Sequence, residues 1–357
     1  MCACGGRFII PTGLLTRLAE DESIPAESRE AMRHSVAVEE SWRGLRNAQT
    51  EATQSSLLAR GITSLRLAGV LASVPAVTVY DCKNTRSLPG SPVLNPGGSS
   101  DTTAKRAFDT TRAVIDFYRQ CFGRNSIDDA GMTLMSSIHY GVRYDNAFWN
   151  GAQMTYGDGD GQVFTDFTKS DDVIGHELTH GVTQFTAGLD YSDESGALNE
   201  SISDAFGAMF HQWRRKQTVV QADWLIGAGV LGPVALAKGY TCLRNMAKPG
   251  SPQCLSPQPS QYSEYISGGD PHENSGIPNH AFYLAAMTIG GRSWEKAGKV
   301  WYAALTSTNA SPSMDMNEFA ALTRAAARSL FPRDSDVYRG VDDAWTRVGI
   351  PVADISI

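Results

Sequence analysis

Apolar positions recur at helical spacing at both ends of the chain and at strand spacing in between. Leu14, Leu15 and Leu18 share one helical face after Pro11, and Pro25-Ala-Glu-Ser-Arg-Glu opens a second, charged helix running toward Leu45. The polar residues 49–56 lack apolar periodicity and are expected to border this segment as a stretch accessible to cutting. Residues 76–164 carry strand signals in Ala76-Val-Thr-Val-Tyr80, Met132-Thr-Leu-Met135, Ile138-His-Tyr140 and Ala147-Phe-Trp149, punctuated by Gly/Asn/Asp turns and interrupted by one helix over 101–122. Beyond Asp171 the period is helical throughout: 172–184, 197–213, 277–289, 294–307, 317–329 and 337–348, with a long Gly/Pro-rich loop over 231–269. A β-rich half followed by an α-helical half predicts an α+β fold, and no internal repeat is present.

Composition narrows the class. A chain of 357 residues exceeds one typical domain, and 42% hydrophobic against 19% charged residues suffices for a large core. The net charge of -7, without a polybasic run, gives no attraction to nucleic acid or anionic lipid. The apolar stretch 68–79 is broken by Ser73 and Pro75 and is too short to cross a membrane, so a soluble monomer is expected. The N-terminus shows no ordinary secretory signal, because its apolar segment is brief and broken by Pro11. Six cysteines are too scattered to frame the chain; Cys242 and Cys254 bracket one loop, and whether they pair stays open.

The chemistry begins at His176-Glu-Leu-Thr-His180, an H-E-x-x-H pattern inside a helical stretch. Four residues make about one turn, so both imidazoles lie on one face and can share a metal ion. Chance alone would produce such a pattern in roughly one chain per hundred of this length, so two unrelated histidines are a serious alternative until a third ligand is found. A catalytic zinc site uses three protein ligands and leaves a fourth position open. Thr183 and Thr186 stand where a metzincin would carry its glycine and third histidine. Asn199-Glu200-Ser-Ile-Ser-Asp204, in the next helix, offers Glu200 to the metal, with Asp204 one turn further to orient an imidazole.

His176-Glu-Leu-Thr-His180-Gly-Val-Thr followed by Glu194-Ser-Gly-Ala-Leu-Asn-Glu200-Ser-Ile-Ser-Asp204 resembles the thermolysin family of metalloendopeptidases. The similarity runs over 79–348 and includes Asn146-Ala-Phe-Trp-Asn150-Gly, Tyr156-Gly-Asp-Gly-Asp160-Gly, Leu243-Arg244 and His272-Glu-Asn-Ser-Gly276-Ile-Pro-Asn-His280, in the same order. The resemblance implies two catalytic domains, 51–190 and 191–357, with the motif helix at the base of the cleft between them. It implies zinc on His176, His180 and Glu200, with Asn199 and Asp204 behind the ligands. Glu177 would act as general base on the metal-bound water, and Tyr191 and His272 would stabilise the oxyanion. Asn146 and the Ala147 carbonyl would hold the substrate backbone as an added strand, and Arg244 the carbonyl after the cut. Phe164, Phe167, Val173, Ile226, Val230 and Leu243 would line the pocket for a bulky apolar residue following the scissile bond. A zinc aminopeptidase would replace Asn146-Ala-Phe-Trp by groups closing one end of the cleft, and a silent peptide-binding relative would have lost Glu177 or a ligand; neither change is present.

Departures from the family pattern carry their own expectations. Asp172, His211, Asp223, Leu225 and Ala228 occupy the family's paired-calcium positions, so that double site should be lost although calcium elsewhere is possible. Ser267 stands where the carboxylate orienting the loop histidine is usual, and Asp270 is the candidate substitute. Phe8-Ile-Ile-Pro-Thr-Gly-Leu-Leu15 resembles the apolar motif of the short propeptide in the protealysin-like branch, though without its Pro-Pro pair and aromatic. Residues 1–50 are therefore expected to inhibit the cleft and to be removed, with release from the cell by a non-classical route or storage of the precursor in the cytoplasm. Cys2 or Cys4 capping the metal is a minor alternative.

Overall fold

The computed structural model describes the chain over residues 7–59 and 75–350, and its side chains over 7–42 and 75–350. It opens with a two-residue strand β1 (Arg7–Phe8) and helices α1 (Thr12–Glu20) and α2 (Ala26–Ala59). The β-rich part contains β2 (Val77–Asp81), β3 (Ser91–Pro92), α3 (Thr102–Phe122), β4 (Leu134–Ile138), β5 (Ala147–Trp149) and β6 (Met154–Tyr156). Two long helices follow, α4 (Asp171–Gln184) and α5 (Asp193–Arg215). The remainder is β7 (Leu225–Ile226), α6 (Pro233–Ala237), β8 (Arg244–Asn245), α7 (Pro271–Asn274), α8 (Gly276–Ile289), α9 (Ala297–Leu305), α10 (Met316–Leu330) and α11 (Ser335–Arg347).

The division into a mixed sheet and a helical half follows the expected α+β pattern. Sheet order is β1-β5-β6-β4-β2-β3, with β2, β4 and β6 parallel and the other pairs antiparallel. Helix α3 backs this sheet: Ala104, Ala107, Thr111, Val114, Ile115 and Tyr118 form a buried stripe at helical spacing. Asp101 caps its N-terminus by accepting from the backbone N–H of Thr103 and Ala104, and Gly123 ends it at φ +71°.

Three sequence expectations need correction. Residues 132–135 and 138–140, read as two strands, are replaced by the single strand β4, which spans Leu134–Ile138. His139 then turns the chain at φ +52°. The loop over 231–269 is threaded by α6 and by β8, whose pairing with β7 sets Ile226 opposite Arg244. The polar stretch 49–56 lies inside α2, because its Gln, Ala, Ser and Thr residues include no Pro or Gly to stop a helix already under way.

Helices α4 and α5 are the centre of the molecule. Every residue of α4 from Asp172 to Thr183 is buried, including two histidines, a glutamate and two threonines, so its polar groups all require partners. The two helices meet at glycines: a Cβ on Gly207 would lie 2.6 Å from the Asp172 carbonyl oxygen and 3.1 Å from the His176 nitrogen. Gly175 faces Gly207 across the same contact: a Cβ on it would lie 3.1 Å from the Gly207 Cα. This close approach sets the distance between the two halves of the functional site.

A Gly207→Ala change forces backbone against backbone, and we expect it to lower unfolding free energy by about 1–3 kcal/mol in urea titrations. Unchanged stability would show that the helices can separate freely. A second expectation concerns His139, whose ring lies 2.7 Å from Asp158 and 3.0 Å from Asp101 and so ties the start of α3 to the turn after β6. Its hydrogen bond to Asp158, aided by Asp101 against partial burial, lifts its pKa from 6.5 to about 9. The cluster therefore contributes in full below about pH 6.5 and is lost as pH rises through about 9. The melting-temperature gap between wild type and His139→Gln should close over that interval; a gap constant from pH 6 to 10 would contradict it.

Candidate metal centre and peptide cleft

His176 and His180 stand one turn apart on α4, and α5 fixes both rings from behind. His176 Nδ1 lies 2.8 Å from Asp204 Oδ1, while His180 Nδ1 lies 2.9 Å from Asn199 Oδ1 and 3.0 Å from Ser203 Oγ. Asn199 donates its amide to the Leu189 carbonyl, which turns its oxygen toward the ring. Both Nε2 atoms therefore face away from their tethers and converge, 3.1 Å apart, each 3.4 Å from a Glu200 oxygen. Ligand atoms of His176, His180 and Glu200 all fall within 4.8 Å of one another, and all three side chains are buried.

The donor chemistry fits a divalent zinc ion. Two imidazole nitrogens and a carboxylate oxygen are a catalytic zinc set with one position open. Among the described residues the buried Glu200 Oε2 has no hydrogen-bond donor, and the same is true of Glu177 Oε1. Glu177 Oε2 accepts from the Trp149 backbone N–H at 3.0 Å, which leaves its free oxygen in the cleft. Burial, opposed by the neighbouring His176, pushes the Glu177 carboxyl up to about 8. For Glu200 burial acts the same way, but His272 and His180 outweigh it and hold the carboxyl well below its ordinary range.

Asp204 joins metal site and cleft. Its Oδ1 takes His176 and Arg244 Nη2, and its Oδ2 takes Arg244 Nε and the Asn279 amide, all at 2.7–2.8 Å. Burial alone would raise its pKa, but the Arg244 guanidinium and His176 keep it well below the usual carboxylate range. The third Arg244 nitrogen, Nη1, projects into the cleft and donates to the Ile9 carbonyl at 2.9 Å. His272 Nδ1 lies 2.7 Å from Asp270 Oδ1, so the carboxylate two residues before the histidine makes the contact for which Ser267 is unsuited. Its Nε2 reaches the Phe8 carbonyl at 2.6 Å, while the Tyr191 hydroxyl donates to Glu200 and lies 3.5 Å from His272.

The edge of the sheet is covered by the chain's own N-terminal segment. Strand β1 pairs antiparallel with β5, Arg7 opposite Trp149 and Phe8 opposite Phe148. Ile9 donates its N–H to the Ala147 carbonyl at 3.2 Å, and Ile10 exchanges two hydrogen bonds with the Asn146 side chain at 2.9 and 3.0 Å. Phe164, Phe167, Val173, Ile226, Val230 and Leu243 are all buried in one apolar cluster that also contains Ile9. Helices α1 and α2 continue this cover: Arg17 donates to the Leu255 carbonyl at 2.6 Å, Lys238 pairs with Asp21 at 2.6 Å, and Glu39 accepts from the Asn146 amide at 2.6 Å. The structure thus brings together every site residue named from sequence. It adds Ser203, Glu39, Arg7 and Asn279, of which Ser203 and Asn279 lay within the matched sequence motifs while Glu39 and Arg7 carried no readable signal.

Two further sequence expectations find their place here. Cys242 and Cys254 are free thiols with sulfurs 3.6 Å apart, and Cys2 and Cys4 lie outside the described residues. Asp160 accepts from the backbone N–H of residues 162, 163 and 164, which fixes the turn that follows the glycine-rich segment 157–161.

An extended peptide laid along a sheet edge, beside three convergent ligands and a free carboxylate, is the arrangement of a metallopeptidase. Comparison with known proteins makes the class specific. Residues 72–184 match the sequence profile of the thermolysin metallopeptidase catalytic domain, and residues 187–350 match that of its alpha-helical domain. Protease PrtS of Photorhabdus sp. (strain Az29) is 43% identical over 285 residues, covering 77% of this chain and 76% of its own. An extracellular metalloprotease of Pectobacterium carotovorum subsp. carotovorum is 43% identical over 287 residues, covering 77% and 81%. Thermolysin of Alicyclobacillus acidocaldarius is 36% identical, and there the match spans 51% of the relative. The solved precursor of protealysin, a metalloproteinase from Serratia proteamaculans, superposes with a TM-score of 0.82 at 38% identity, covering 97% of this chain and all of that one. The chain belongs to the thermolysin family and is a zinc-dependent metalloendopeptidase.

Since Asp204 sets the His176 ring, Asp204→Asn is expected to weaken zinc binding by roughly 10–100-fold, read as metal content after dialysis against graded chelator. Zinc retention equal to wild type would remove Asp204 from the support of the site.

Proposed function

We propose that this chain is an endopeptidase made as a zymogen, with His176, His180 and Glu200 holding zinc and Glu177 as the general base. Zinc at this site would polarise the scissile carbonyl and lower the pKa of a water near it. Glu177, anchored by the Trp149 N–H with its second oxygen free, takes a proton from that water and passes it to the departing amine. His272, oriented by Asp270, donates to the carbonyl oxygen as charge develops on it, with Tyr191 beside it. Arg244, Asn146 and Ala147 hold the backbone on either side. The pocket of Phe164, Phe167, Val173, Ile226, Val230 and Leu243 favours a bulky apolar residue after the cut.

One observation carries this reading. The backbone of residues 8–10 meets His272, Ala147, Arg244 and Asn146 in turn, the groups that a substrate would use. A tethered segment competes at millimolar effective concentration, so residues 1–50 act as an intramolecular inhibitor until removed. The catalytic part is then divided near residue 190 into the β-rich and α-helical domains. The relative named as extracellular supports release from the cell, and among the described residues no helix is long and apolar enough to cross a membrane.

We also propose that the family's double calcium site is lost. Asp172 is already occupied by the Gly227 N–H and the Ser170 hydroxyl, and the cavity of about 460 Å³ there is lined by Arg215 and His211 alongside Asp223. A calorimetric titration should reveal no tight binding of two calcium ions.

The function is tested with casein as substrate. Chain lacking residues 1–50 should hydrolyse it, full-length chain should be latent, and Glu177→Ala should lose at least about a thousandfold in kcat with zinc still bound. Comparable kcat in the mutant would exclude Glu177 as base; full activity with an intact N-terminus would exclude the zymogen.

A further inference from the structure

The covering segment does more than fill the cleft: its direction and register are those of a peptide about to be cut. A segment lying backwards, or displaced by one residue, would present no carbonyl to His272 and would place its side chains on the opposite faces. Here β1 runs antiparallel to β5, and each polar backbone atom from the Phe8 carbonyl to the Ile10 carbonyl finds its partner in sequence. The Phe8 carbonyl sits on His272 Nε2 at 2.6 Å, and that nitrogen lies 3.2 Å from Glu200 Oε2. The next N–H, of Ile9, is bonded to Ala147, and the next carbonyl to Arg244. The Phe8–Ile9 bond is therefore the one flanked by both the oxyanion donor and the arginine clamp. Pro11, which has no N–H, ends the pairing and starts α1.

Side chains lock this register from both ends. The Ile9 side chain is fully buried in the main hydrophobic core, and Phe8 packs on Phe148 with ring centroids 5.2 Å apart. Arg7 is buried and donates to the His180 carbonyl at 3.2 Å and to Asn199 Oδ1 at 3.1 Å, with its guanidinium 5.6 Å from the Tyr191 ring centroid. A slip by one residue would break all of these and leave a buried guanidinium without its acceptors.

We propose that Arg7-Phe8-Ile9-Ile10 is a self-substrate and that the chain hydrolyses its own Phe8–Ile9 bond in cis. This rests on the endopeptidase reading above. One water is consumed: its oxygen bonds to the Phe8 carbonyl carbon and the C–N bond to Ile9 breaks. Glu177 carries a water proton to the Ile9 nitrogen, leaving a Phe8 carboxylate and an Ile9 amine. The cut does not by itself open the enzyme. Ile9 and Ile10 remain on Arg244 and Asn146, tethered through α1 and α2 by the contacts of Arg17, Asp21 and Glu39. The product is a nicked chain that has shed residues 1–8 and is still latent.

Intact-mass and N-terminal analysis of zinc-loaded, full-length protein tests this over time. A species beginning at Ile9 should accumulate, at a rate independent of protein concentration over a tenfold range. It should be absent from Glu177→Gln and from chelator-treated protein, and should not cleave casein. The synthetic peptide Gly-Gly-Arg-Phe-Ile-Ile-Pro-Thr, given to chain lacking residues 1–50, should be cut between Phe and Ile, which removes any dependence on a variant that folds poorly. An intact Phe8–Ile9 bond in a latent chain, with the peptide uncut or cut elsewhere, overturns the self-substrate while leaving the zymogen standing. Full-length protein as active on casein as the truncated form overturns the zymogen instead, and nicking in Glu177→Gln assigns the cut to another protease.

Discussion

The structure depends on one buried carboxylate. Asp204 has no exposure to solvent, and a lone charge there would cost several kcal/mol; it is tolerable only because every lone pair is taken by His176, Arg244 or Asn279. Those partners come from three different parts of the chain: α4, the short strand β8 and α8. The same side chain therefore fixes the tautomer and direction of a metal ligand, aims the arginine that grips a peptide carbonyl, and fastens α8 to the centre. The positions of the His176 ring and the Arg244 guanidinium are coupled through one residue, because any movement of Asp204 shifts both.

The constraint propagates into the packing. A helix as thoroughly buried as α4 would ordinarily be apolar all round, and this one carries His176, Glu177, Thr179, His180 and Thr183 instead. Buried polar groups need neighbours at hydrogen-bond distance, and α5 supplies those of both imidazoles, while Trp149 of β5 donates to Glu177. Asn199, Ser203 and Asp204 can reach the imidazoles because Gly175 and Gly207 let the backbones approach where a methyl group would not fit. Thr179 is satisfied by the Gly175 carbonyl and by Tyr118 of α3, which ties the ligand helix to the helix behind the sheet. Small residues at the crossing and polar residues one turn away are two aspects of the same geometry.

How much of this was legible in the sequence follows from the range of each interaction. The ligand helix, the carboxylate on the next helix and the division into halves were readable, since they depend on spacing within one element or between consecutive ones. Asp270 was named as the partner of His272 because it sits two residues away, at the start of the same short helix. Arg7 reaching Asn199 and Glu39 reaching Asn146 span 192 and 107 residues, and no local pattern encodes such pairs. Strand β1 has two residues, too short for any alternation to show, and is a strand only because β5 offers it an edge. Polarity alone misled over 49–56, where the absence of a helix breaker counted for more than the absence of an apolar face.

The N-terminal segment uses these long-range groups without adding a chemistry of its own. Glu39 illustrates this: buried, it accepts from the Asn146 amide and from the Thr12 hydroxyl, so one side chain of α2 holds both the catalytic edge and the start of α1. The aromatic group around Phe8 is built the same way, with Phe148, Tyr140 and Tyr144 from the enzyme and Val38 and Trp42 from α2. Half of each contact belongs to the N-terminal segment and half to the sheet and loops it covers. Removing the segment must expose the aromatic surface and free Asn146 together, so burial of the segment and occupancy of the cleft form a single cooperative unit. On the zymogen reading proposed above, latency would follow from packing, because the backbone groups that would draw in a substrate are satisfied only while α1 and α2 remain folded against the sheet.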